Sequence, residues 1–123
     1  MIGYVTLGTN DLDRATRDYD ALLAPMGGKM LMDFGRGRAW GTAPDKPMLS
    51  VIQPFDGQPA HPGNGMMTAL LCSSAAQVDA QYKLALELGG TDEGPAGQRG
   101  PGFYAGYFRD LDGNKLNFFC MGH

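Results

Sequence analysis

The sequence predicts an α+β fold of two βαβββ modules, with strands forming a cupped mixed sheet and helices outside. Three observations carry this. Residues 2–28 and 65–90 both run strand, turn, helix, Gly-Gly. A shift of 63 places matches Leu7 to Leu70, Tyr19 to Tyr82, Leu23 to Leu86 and Gly27 to Gly90. Strand-like segments follow both helices, and the last two flank Asp112-Gly113, a two-residue hairpin signal. Module one covers about 1–58 and module two about 64–123.

In the first module, Ile2 to Leu7 alternates and is rich in β-formers, so it reads as a strand. Asn10 is the expected N-cap, with Asp11 and Asp13 in the positive first turn. Leu12, Ala15, Tyr19, Leu22, Leu23 and Met26 recur at steps of three and four, which is one helix face. Pro25 and Gly27-Gly28 end that helix. Segments 29–34, 38–42 and 48–53 are the remaining strands of this module.

In the second module, residues 66–72 read as a strand, and Ser74 with Gln77 as a capping box. Val78, Tyr82, Ala85 and Leu88 form the helix face, and Gly89-Gly90 stops it. A strand near Thr91 is expected but poorly marked. Strands at 103–109 and 115–121 close the chain. A half of about 60 residues cannot cover both faces of its sheet, so pairing of the halves is expected.

Composition narrows the function. The chain has 123 residues, 43% hydrophobic and 19% charged, which excludes a disordered chain. A formal charge of -3 argues against a nucleic-acid partner. No apolar run approaches the roughly 20 residues of a membrane helix, and the start at Met1-Ile2-Gly3-Tyr4 lacks signal-peptide character. Cys72 and Cys120 are too few for a disulfide scaffold and read as buried and inert. A cytoplasmic domain without nucleic-acid or membrane partners is expected. The eight methionines suit an adaptable core or an apolar pocket.

Some motifs carry no chemistry. Asp110-x-Asp112-Gly113 has its glycine too early for a calcium loop and lacks the closing Glu, so it reads as a hairpin. Gly35-Arg36-Gly37-Arg38 has Trp40 at the third glycine position and no following helix, so it reads as a turn and not a phosphate loop. His61 reads as a solvated loop residue and His123 as a frayed terminus.

The order of elements resembles the vicinal oxygen chelate superfamily of glyoxalases, bleomycin-resistance proteins and extradiol dioxygenases. The resemblance rests on 4–8 (Tyr-Val-Thr-Leu-Gly), Asp11-Leu12 and Tyr19-Asp20, then 54–57 (Pro-Phe-Asp-Gly), 62–65 (Pro-Gly-Asn-Gly) and 102–106 (Gly-Phe-Tyr-Ala-Gly). It closes on 109–114 (Arg-Asp-Leu-Asp-Gly-Asn). It implies a cup whose floor, in many members, holds a divalent metal on His and Glu ligands, and it implies a homodimer.

The resemblance places those ligand slots on Tyr4, Met67 (with Met66 the neighbouring choice), Asn117 and Ser50. None is His or Glu. A phenol is a poor ligand at neutral pH, a thioether is weak toward borderline ions, and Asn and Ser bring no charge. No metal cofactor is therefore expected, with a divalent ion as the alternative.

Family register and alternation direct Tyr4, Thr6, Met67, Ala69, Asn117 and Phe119 into the cup. Trp40 and Phe55 are expected to wall it, and Tyr104 and Arg99 to precede the C-terminal hairpin. The expected ligand pocket is therefore Tyr4, Trp40, Ser50, Phe55, Met67, Arg99, Tyr104, Asn117 and Phe119, with a small organic molecule as partner. Tyr4 is the one catalytic candidate, and needs a neighbour that lowers its pKa. Three functions stay open: a metal-free binding protein, a divergent lyase, isomerase or dioxygenase (lactoylglutathione-lyase-like), and a scaffold whose cup is filled.

Overall fold

A computed structural model describes residues 1–122; the reading of His123 lies outside the described residues. The chain divides into two compact units, Met1–Pro62 and Gly63–His123. Each contains one βαβββ module.

In the first unit, strand β1 (Tyr4–Gly8) leads to helix α1 (Leu12–Leu23) and a 3-10 turn (Ala24–Met26). Strands β2 (Lys29–Asp33), β3 (Gly37–Gly41) and β4 (Met48–Ile52) follow. The sheet order is β1-β4-β3-β2, with β1 and β4 parallel and the other pairs antiparallel. In the second unit, β5 (Thr68–Leu71), α2 (Ala75–Glu87), β6 (Thr91–Gly100), β7 (Phe103–Arg109) and β8 (Lys115–Met121) repeat the order. Its sheet, β5-β8-β7-β6, repeats the same pattern of parallel and antiparallel pairing. No described helix is long and apolar enough to cross a membrane.

The caps explain where the helices begin. Asp11, not Asn10, caps α1: its side chain accepts from the Arg14 N–H at 3.0 Å. Asn10 instead holds the loop after β4, accepting from the Ala60 N–H at 2.6 Å and donating to the Ala60 carbonyl at 2.9 Å. Ser74 caps α2 by accepting from the Gln77 N–H at 3.1 Å. The reciprocal half of the box is displaced by one residue, because the Gln77 side chain accepts from the Ser73 N–H.

The helix ends show where the repeat slips. Gly27 donates to Ala24 and Gly28 to Leu23; Gly89 donates to Leu86 and Gly90 to Ala85. Gly27 (φ 79°) and Gly89 (φ 104°) both take left-handed backbone that only glycine adopts without strain. The N-caps Asp11 and Ser74 are 63 apart, but the matching glycines Gly27 and Gly89 are 62 apart. Gly27 therefore corresponds to Gly89, not to Gly90.

Each sheet packs one face on its helix. In the first unit Tyr19, Leu22 and Leu12 meet Trp40, Leu49 and Val51, all buried. In the second, Val78 and Ala85 meet Phe108, Leu116 and Phe118, with the Phe108 and Phe118 rings stacked at 5.3 Å. Each such large side chain contributes about 1.5–3 kcal/mol on burial. The β7–β8 hairpin is fastened by Asp110, whose carboxylate accepts from the Asp112 and Asn114 N–H groups, both at 2.9 Å, and from Asn114 Nδ2 at 3.0 Å.

Candidate functional site

Register decides which side chains leave the helix and face outward. In the first unit Thr6 stands opposite Ser50, and Ser50 opposite Ala39. Tyr4 and Met48 share that open face, while Val5, Leu49 and Trp40 share the helix face. The small residues Ala39 and Ser50 form a low floor. Ile2, Tyr4, Met32, Phe34 and Met48 stand around it, and the turn after β3 adds Asp45 and Lys46. The result is an open-sided pocket of about 570 Å³.

Its rim is exposed: 70% for Tyr4, 58% for Ile2, 52% for Met32 and 46% for Phe34. Ser50 is not free to take a ligand. Its Oγ is 2.8 Å from Thr6 Oγ1 and donates to the Val5 carbonyl at 3.2 Å. No described residue hydrogen-bonds the Tyr4 hydroxyl, which is the only phenol on this rim.

In the second unit Ala69, Asn117 and Tyr107 stand side by side on the open face, with Leu71, Phe119 and Ala105 in the next row. Phe119 stacks on Phe103 at 5.6 Å. Asn117 is buried; its Nδ2 donates to Met67 Sδ at 3.7 Å, and its Oδ1 has no hydrogen-bond partner among the described residues. Arg99 lies along β6 with its guanidinium over the Tyr107 ring.

Two expected pocket residues face the other way. Trp40 is 1% exposed, lies 5.7 Å from the Tyr19 ring and donates from Nε1 to Asp20 Oδ1 at 2.8 Å. It is core because β3 turns its odd-numbered residue Ala39 to the open face. Tyr104 lies on the helix side of β7 and donates its hydroxyl to Asp79 of α2 at 2.6 Å, which raises its pKa. Phe55 lies on the loop after β4 and is 91% exposed, with the Arg36 guanidinium 5.0 Å from its ring; it does not line the pocket of its unit. Ile2, Met32, Phe34, Met48, Tyr107 and Lys115 are open-face residues that the sequence reading missed. The signal available was the alternation of Met48 with Ser50 and of Lys115 with Asn117.

The four slots implied by the resemblance fall into structurally equivalent pairs. Thr6–Ser50 and Ala69–Asn117 are corresponding rungs of the two ladders, with Tyr4 and Met67 two residues before Thr6 and Ala69. The first unit's slots offer a phenol and a hydroxyl already bonded to the strand, and the second unit's a thioether and an amide turned to a sulfur. Neither pair has an anionic or imidazole ligand, and neither fits a divalent ion. Among the described residues no group of three or more His, Cys, Asp or Glu could hold a metal.

The sequence pattern of the Glyoxalase/Bleomycin resistance protein/Dioxygenase superfamily matches residues 1–118. The chain belongs to that superfamily. A glyoxalase/bleomycin resistance protein from Albidiferax ferrireducens T118 is 33% identical, with 97% of each chain covered and a TM-score of 0.88. Lactoylglutathione lyase from Agrobacterium tumefaciens is 22% identical over 97% of this chain and 92% of that one, with a TM-score of 0.70. TioX from Micromonospora sp. ML1 is 19% identical over 99% of each chain, with a TM-score of 0.71. At such identities the last two similarities speak for the fold alone. No curated protein matches the chain by sequence.

Proposed function

We propose that the protein binds a small organic molecule with an apolar body on the open face of its first unit, without a metal ion. The observation that carries this is the shape of that face. Large apolar side chains, Ile2, Met32 and Phe34, stand exposed around a floor of Ala39 and Ser50 instead of closing over it. Exposed apolar area of this kind is costly in water and is typical of ligand grooves. The uncharged slots support the metal-free part of the reading.

An enzymatic reading with Tyr4 as acid or base lacks a described neighbour bonded to its hydroxyl. A filled-face scaffold is disfavoured by the open pocket. The test is fluorescence titration with phenyl-naphthylamine, a neutral dye that brightens in apolar surroundings. Saturable binding to the wild type, weakened by Met32→Asp and by the space-filling Ala39→Leu, is expected. Absence of saturable binding, or binding indifferent to both changes, would overturn the reading.

A further inference from the structure

We infer that the open face of the second sheet recognises an anionic group on an organic ligand, held between Arg99 and Lys115 beside Tyr107. This is a site of its own on the second unit, and it takes from the small-molecule reading above only that the chain binds organic ligands.

The two cations converge on one ring. Arg99 Cζ lies 5.4 Å from the Tyr107 centroid and Lys115 Nζ lies 5.7 Å from it. Among the described residues no carboxylate pairs with either. The neighbouring acid, Glu93, is taken by Arg109. Two like charges gathered without a counter-ion, on a chain of net charge -3, leave a local positive field that an anion would complete.

The strand is shaped to hold the guanidinium there. β6 departs from regular register three times, between Asp92 and Gly94, Gly94 and Gly97, and Gln98 and Gly100. A Cβ at Gly97 would come within 3.1 Å of Arg99 Nη1, and one at Gly94 within 3.4 Å of Arg99 Nη2. The two glycines therefore leave the trough in which the side chain lies, and Arg99 also donates to the Pro95 carbonyl, which fixes its direction. A planar guanidinium held this way offers paired N–H donors that match a carboxylate, sulfonate or phosphate.

The same face supplies apolar contact. Gly94 stands opposite Tyr107, Tyr107 opposite Asn117, and Asn117 opposite Ala69. The adjoining row carries Phe119, half-buried, and Leu71, 66% exposed. A cationic end beside an apolar stretch fits an organic anion better than an inorganic one.

Two dyes with one aromatic body test this. Phenyl-naphthylamine is neutral, and anilinonaphthalene sulfonate adds a single anionic group. The sulfonate is expected to bind the wild type more tightly. That advantage should fall several-fold in Arg99→Gln or Lys115→Gln and about tenfold in the double variant, and should shrink with added salt. Inorganic sulfate alone should compete weakly. If the neutral dye binds and the sulfonate has no advantage, or the advantage survives both substitutions, the anion site is overturned while the small-molecule reading stands. If neither dye binds, both fall.

Discussion

Asn117 Nδ2 donates to the Met67 sulfur at 3.7 Å, while Asn117 Oδ1 stays buried and unpaired among the described residues. A thioether is a weak acceptor, so the amide recovers little of the hydration it gives up on folding. Replacement by an apolar side chain of similar size removes that unmet demand. Asn117→Leu is therefore expected to raise stability by about 1 kcal/mol in denaturant unfolding. Asn117→Asp, which adds a buried carboxylate, should lower it. A clear loss in the leucine variant would show that the amide is satisfied in solution.

Trp40 supplies a second prediction, because it is the one tryptophan and faces α1. Trp40→Phe keeps an aromatic ring but loses the bond to Asp20 and leaves space, at a cost of about 1–3 kcal/mol. Native emission should be blue-shifted and move to the red on unfolding. Open-face ligands that do not absorb in the region of indole emission should leave it nearly unchanged, since the indole is on the opposite side of the sheet. Strong quenching by such a ligand would contradict the assigned face.

The faces also show what the sequence made legible. The repeat, the helices with their glycine stops and the presence of a hairpin at Asp112-Gly113 were readable from local chemistry, but the turn is not the two-residue one expected: Arg109 pairs with Lys115, and the Asp110 N–H closes the loop on the Asn114 carbonyl. Period-two alternation names two faces without saying which one meets the helix. For β3 the bulky Trp40 looked like a pocket wall, yet it shares the helix side with Arg38, and the small Gly37, Ala39 and Gly41 are on the open side. β6, with three glycines and a proline between Thr91 and Gly100, was faint for another reason: its register breaks remove the alternation itself. Tyr104 was misplaced as Trp40 was; its partner Asp79 is 25 residues away.

Alkaline pH tests the buried thiol. Burial first, then the neighbouring Cys120, push the Cys72 thiol from its ordinary 9.0 up to about 11. The folded chain thus holds a proton that the unfolded chain releases. The stabilisation is fully present below pH 9 and is lost as pH rises toward 11. Cys72→Ala should flatten this part of the stability profile relative to the wild type. Native Cys72 should also resist alkylation at pH 8, with reaction following unfolding.

Asp110 accepts three hydrogen bonds in the β7–β8 turn. Asp110→Ala orphans two backbone N–H groups and an amide, and is expected to cost about 2–3 kcal/mol. Asp110→Asn should recover part of this, since one oxygen remains. Both can be read by thermal or denaturant unfolding.

The central claim is a groove that takes an organic molecule with no ion beneath it. Its most direct measurement is dye titration of the same protein before and after exhaustive chelation, with metal content determined on each sample by elemental mass spectrometry. The account predicts one saturable site of unchanged affinity and no stoichiometric transition metal in either sample. A bound metal near one per chain, with dye binding lost on its removal, would contradict it.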